Sequence, residues 1–117
     1  MKDALISILE TYKYPVYLQG SLAADEAYPD TFFTFWNDST DDGSHYDNDA
    51  IFFTWSFTVY FYSTDPALVN SMLDDVRAEL RKAGWNVNGK GYDVPTDQKT
   101  HTGRAIDVFY IETNIRN

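Results

Sequence analysis

Apolar residues recur along this chain with two different periods, and the change from one to the other marks out its elements. In the opening segment Ala4, Leu5, Ile8, Leu9 and Tyr12 fall at helical spacing with Lys2, Asp3, Ser7 and Glu10 between them. This predicts a short amphipathic helix over residues 2–12. Pro15 ends it, because the residue before a proline is pushed out of the helical region. Val16 to Gln19 then reads as a short strand and Gly20 to Asp30 as a connecting loop. From Thr31 to Trp36 (TFFTFW) and from Ile51 to Ser63 (IFFTWSFTVYFYS) the residues are β-branched or aromatic, as a pleated, half-buried surface selects. In the longer run Ile51, Phe53, Trp55, Phe57, Val59 and Phe61 alternate with Phe52, Thr54, Ser56, Thr58, Tyr60 and Tyr62, so one face is core and the other amphipathic. The second set fits either an interface, where tyrosine is enriched, or a wet surface.

Between these strands lies NDSTDDGSHYDND, Asn37 to Asp49, which has no basic residue and is too long for a tight hairpin turn. It is expected to project into solvent as a mobile loop. Thr64, Asp65 and Pro66 form a helix start, with Asp65 at the N-cap and Pro66 where its missing N–H costs nothing. Leu68, Val69, Met72, Leu73, Val76, Leu80 and Ala83 mark one face of that helix, which ends at Gly84. Asp74 and Asp75 precede Arg77, Arg81 and Lys82, an order that complements the helix dipole. Trp85 to Val87 and Tyr92 to Val94 read as short strands around a glycine-bearing turn from Asn88 to Gly91. Asp97 to Gly103 is a second polar loop, and Arg104 to Thr113 a last strand with Ile106, Val108 and Tyr110 on one face. The order helix, strands, helix, strands predicts an α+β fold with two helices packed on one face of a largely antiparallel sheet.

At 117 residues, 44% of them hydrophobic and 17% aromatic, the chain fits one domain, residues 1–117, with material for a packed core. The formal net charge is -9, which disfavours a surface that grips phosphates, so no sequence-specific nucleic-acid binding is expected. The acidity is uneven. Up to Asp65 there are eleven acids against Lys2 and Lys13, and beyond it seven acids balance seven bases. A molecule polarised in this way can stack its own copies. The absence of cysteine removes disulfides, thiolate catalysis and cysteine-ligated zinc. Asp3 and Glu10 interrupt the N-terminal segment, and no stretch approaches the roughly 20 apolar residues of a membrane helix. A soluble, unexported protein with no membrane partner is expected.

Asp38, Thr40, Asp42, Gly43 and Asp49 fall at spacings resembling positions 1, 3, 5, 6 and 12 of a calcium loop. The match is partial, because Asp49 replaces the longer bidentate glutamate and strands flank the segment. A solvated loop is the reading preferred. His45 among Asp41, Asp42, Asp47 and Asp49 offers an acid–base pair or a metal ligand, but a surface histidine needs neither. No nucleophile elbow, phosphate-cradling glycine loop or His-Glu-x-x-His is present, so neither an enzyme nor a cofactor is expected. Lys99 to Arg104, with His101, is the one locally basic loop. It either links two strands or meets the acidic loop of a neighbouring copy. That pairing makes Asp38, Asp41, Asp42, His45, Asp47, Asp49, Lys99, His101 and Arg104 the candidate interaction residues.

Taken in succession, YPVYLQG (Tyr14 to Gly20), YPDTFFTFW (Tyr28 to Trp36), the aromatic strand to Tyr62, GYDV (Gly91 to Val94), THTGR (Thr100 to Arg104) and FYIE (Phe109 to Glu112) resemble the tail-completion, or tail terminator, proteins of long-tailed bacteriophages and prophages. The resemblance covers roughly residues 14–112. It implies a structural protein that forms a ring, usually a homo-hexamer, on the last ring of the tail tube. Such a ring stops tube growth and offers a surface to the head–tail connector protein. The partners it implies are further copies, the major tail tube protein and the connector. The location it implies is the host cytoplasm during assembly and the head–tail interface in the virion. A surplus of acid in such a ring lets genome DNA pass without sticking. Two alternatives remain: a head-completion or connector role, and a metal-dependent binding module built on the acidic loop.

Overall fold

The computed structural model describes residues 2–18, 29–42, 45, 46, 49, 50, 52–95 and 100–113, and the side chains of all of these except 40–42, 45, 46, 49, 50, 52 and 113. Helix α1 spans Lys2–Glu10. Strands β1 (Val16–Leu18), β2 (Thr31–Asp42), β3 (His45–Tyr46), β4 (Asp49–Ala50) and β5 (Phe52–Ser63) follow. Helix α2 (Pro66–Lys82) then leads to β6 (Asn86–Val94) and β7 (Thr102–Thr113). Five strands form one sheet in the order β1-β2-β5-β7-β6, while β3 and β4 pair with each other. All pairings in the large sheet are antiparallel except β1 with β2. The expected α+β architecture is therefore present.

Both helices lie against one face of this sheet. Phe33 and Phe35 of β2, Phe57, Val59 and Phe61 of β5, and Ile106 and Val108 of β7 meet Leu5 and Leu9 of α1 and Val69, Met72, Leu73, Val76 and Leu80 of α2. Every second residue of each strand supplies this core, as the pleat dictates. Full burial of each large apolar side chain contributes about 1.5–3 kcal/mol. Aromatic contacts knit the strands together, the Phe33 and Phe61 rings lying 4.7 Å apart.

The second helix begins as its sequence predicts. Asp65 is the N-cap, its carboxylate accepting from the Ala67 N–H at 3.1 Å, and the buried Ser63 hydroxyl accepts from the Asp65 N–H at 3.1 Å. At its other end Gly84 (φ 92°) takes a left-handed turn, so that the Trp85 N–H reaches the Leu80 carbonyl at 2.9 Å and the Gly84 N–H reaches Arg81 at 3.1 Å. The buried Trp85 indole follows this turn and packs on the Phe57 and Tyr110 rings, 5.8 and 5.2 Å away.

Three sequence expectations are corrected. The first helix stops at Glu10 rather than at about residue 12, where the Tyr12 N–H bonds the Leu9 carbonyl at 3.3 Å in a three-residue turn. Asn37 to Asp42 do not form a loop; they continue β2 and pair with Phe53 to Phe57 of β5, their polar side chains having masked the ladder. Trp85 to Val94 is not two strands around a turn. It is the buried Trp85 followed by the single strand β6, with an irregularity between Asn88 and Tyr92 that absorbs the glycines. Among the described residues no helix is long and apolar enough to cross a membrane.

Candidate functional site: the open face of the sheet

The helices cover one face, and the other face of β2, β5, β7 and β6 carries the set of side chains that alternates with the core. By register these include Phe32, Thr34 and Trp36 of β2, Thr58, Tyr60 and Tyr62 of β5, Gly103, Ala105, Asp107, Phe109 and Ile111 of β7, and Tyr92 of β6. Tyr62 lies over Gly103, where a Cβ would sit 2.7 Å from its ring, and stacks on Phe32 at 5.2 Å and beside Tyr60 at 6.2 Å. Tyr17 of β1 meets the edge of Phe32 at 6.1 Å. These contacts bury Phe32 almost completely but leave Trp36, Tyr92 and Ile111 exposed at 50%, 46% and 45%. Three of the four large hydrophobic residues that stand out of the described surface thus share this face.

A polar cluster sits at its centre. In the β2–β5 register Asn37 faces Phe57 and Ser39 faces Ser56, so Asp38 is the extra residue of a β-bulge. The bulge aims its carboxylate at Thr58, whose hydroxyl lies 2.6 Å from Asp38 Oδ2 and 3.0 Å from Asp107 Oδ1. A hydroxyl has one hydrogen and cannot donate to both oxygens at once. The Tyr92 hydroxyl, which donates to Asp107 Oδ1 at 3.2 Å, satisfies the second carboxylate while Thr58 serves the first. Burial, then the negative charges of Asp38 and Asp107, pushes the Tyr60 phenol above its ordinary pKa. Tyr92 is pushed the same way by burial, then by the charge and hydrogen bond of Asp107. Both phenols therefore remain donors at neutral pH.

Of the interaction residues expected from sequence, the side chains of Asp38, His101 and Arg104 are described. Asp38 joins the open face. Asp41 and Asp42 end β2, and His45 and Asp49 belong to the β3–β4 pair, where His45 faces Ala50 and Tyr46 faces Asp49. Asp47 and Lys99 lie outside the described residues. His101 is tied inward: its Nε2 donates to the Pro29 carbonyl at 2.8 Å, Nδ1 lies 3.1 Å from the Thr100 hydroxyl, and its ring meets Phe32 at 6.0 Å. Arg104 is likewise engaged, with Asp93 at 2.8 Å and the Lys90 carbonyl at 3.4 Å. The first half of the calcium-like spacing, Asp38, Thr40 and Asp42, lies along an extended strand, which does not wrap around an ion. Among the described residues no three acidic or histidine side chains converge as a metal site.

Sequence reasoning placed Thr58 on the amphipathic face of the long strand but missed Trp36, Tyr92 and Asp107. Asp107 carried a signal, as the lone charge between apolar residues in AIDVFYI. Searched against known protein families and curated proteins, the chain matches none.

Proposed function

We propose that this chain is a structural assembly protein that docks through the open face of its sheet and acts, as its sequence resemblance implies, as a tail terminator of a long-tailed phage. In that role copies ring the end of the tail tube, stop its growth and present a surface to the head connector. The observation that supports docking is the open face itself. It combines exposed Trp36, Tyr92 and Ile111 with a central hydrogen-bonded carboxylate pair, an apolar surface with a fixed polar centre. Tryptophan and tyrosine are the residues on which interface energy concentrates, and a rigid sheet presents them at little entropic cost. A mixed apolar and acidic face suits a protein partner and repels a polyanion.

The test is deletion of this chain from the phage that encodes it. Tails of uncontrolled length without heads are expected, with joining restored by adding back the purified protein. Tails of normal length that join heads normally would refute the role. A virion map with the chain on the portal side of the joint would assign it to head completion instead.

A further inference from the structure

We infer that the open face is covered by the helix layer of a second copy of this chain, with Arg81 of that copy seated between Asp38 and Asp107. This rests on the assembly reading above and adds the identity of the occupant.

The carboxylates of Asp38 and Asp107 are held by hydroxyl donors. Among the described residues neither pairs with a lysine or arginine, and none of the open-face positions fixed by strand register carries one. A neutral partner laid over Trp36, Tyr92 and Ile111 would take two negative charges out of water and leave them uncompensated. The occupant therefore brings positive charge to the middle of an otherwise apolar contact. A guanidinium suits the site better than an ammonium. Its planar fork donates to two carboxylates at once, it is more weakly hydrated, and its face stacks on an indole such as Trp36.

The chain holds such a group in reserve. Arg77 donates from Nε to the Gly89 carbonyl at 3.0 Å, and Arg104 is held by Asp93 at 2.8 Å. The guanidinium of Arg81, exposed in the last turn of α2, makes no hydrogen bond or ion pair among the described residues. Beside it Lys82, whose ammonium meets Glu79 at 3.3 Å, adds a second exposed positive charge. Arg81 belongs to the helix layer, whereas Asp38 and Asp107 lie on the opposite face of the sheet. The contact therefore joins different surfaces of successive copies. Such a head-to-tail contact closes into a ring or runs on as a filament, according to its angle.

Sedimentation of the full chain tests this, using wild type, Arg81→Glu, Asp107→Asn, Asp38→Asn and the exchanged pair Arg81→Glu with Asp107→Arg. Loss of a close interfacial charge pair is expected to weaken self-association by at least about tenfold in each single variant. The exchanged pair is expected to recover it, and Arg81→Glu to melt as wild type does. Asp38→Asn provides the same readout if Asp107→Asn does not fold. Oligomers that form equally well in wild type and all single variants would overturn the contact and leave the assembly role standing. A wild-type chain that stays monomeric even with tail tube protein present would overturn both.

Discussion

Tyr12 carries a buried hydroxyl with no hydrogen-bond partner among the described residues, and burial, with the charges of Glu79 and then Asp75, pushes its pKa up to about 12. Above pH 10 an unfolded tyrosine ionises while the folded one keeps its proton. The folded state then binds more protons, so this residue's contribution is intact below about pH 10 and is lost as pH rises toward about 12. Tyr60 and Tyr92 act in the same direction. Tyr12→Phe removes both the unpaired hydroxyl and the titration. Urea unfolding at about pH 8 is expected to show it within about 0.5 kcal/mol of wild type or more stable. At about pH 11 it is expected to have lost less stability than wild type. An alkaline decline as steep as that of wild type would show that Tyr12 does not drive it. Such effects were not readable beforehand: the helical spacing marked Tyr12 as apolar-facing, but the missing partner depends on which chains surround it.

At the scale of elements, β6 is the clearest case of geometry overriding local sequence. Its glycines predicted a turn between two strands, yet the chain pairs with β7 on both sides of the irregularity between Asn88 and Tyr92. Gly91 (φ 96°) makes this passage workable, because a Cβ there would sit 2.7 Å from the Ala105 carbonyl oxygen. Gly91→Ala is expected to cost about 1–3 kcal/mol in urea unfolding. Gly89→Ala, at φ 72° with open space around the missing Cβ, is expected to cost about 1 kcal/mol. Equal costs would remove the steric argument. The long strands β5 and β7 and helix α2 were legible because alternation, the Asp65 cap and Gly84 all agreed. The extension of β2 through Asn37 to Asp42 was not, since polar strand residues resemble a loop when their partner strand is unknown. The bulge at Asp38, which brings it to Thr58 and so near Asp107, is a property of the β2–β5 register and has no local sequence signature.

In the whole molecule the division of charge along the chain does not keep Asp38 apart from Asp107. Asp38 comes from the acidic first part and Asp107 from the balanced later part, yet antiparallel pairing of β5 with both β2 and β7 sets them on one threonine. The sequence thus exposed the surplus of acid but not the surface on which it matters. With three strands of twelve residues at its centre the molecule is elongated, 53 × 29 × 22 Å, and offers one long sheet face that neither helix covers. The central claim is that assembly covers this face. Covalent footprinting by mass spectrometry, on the free chain and on the assembled particle, tests it most directly. Trp36, exposed in the free chain, is expected to be modified there far more than the buried Trp85, and to be protected together with Tyr92 and Ile111 on assembly. Assembled particles in which these three residues react as readily as in the free chain would contradict the account.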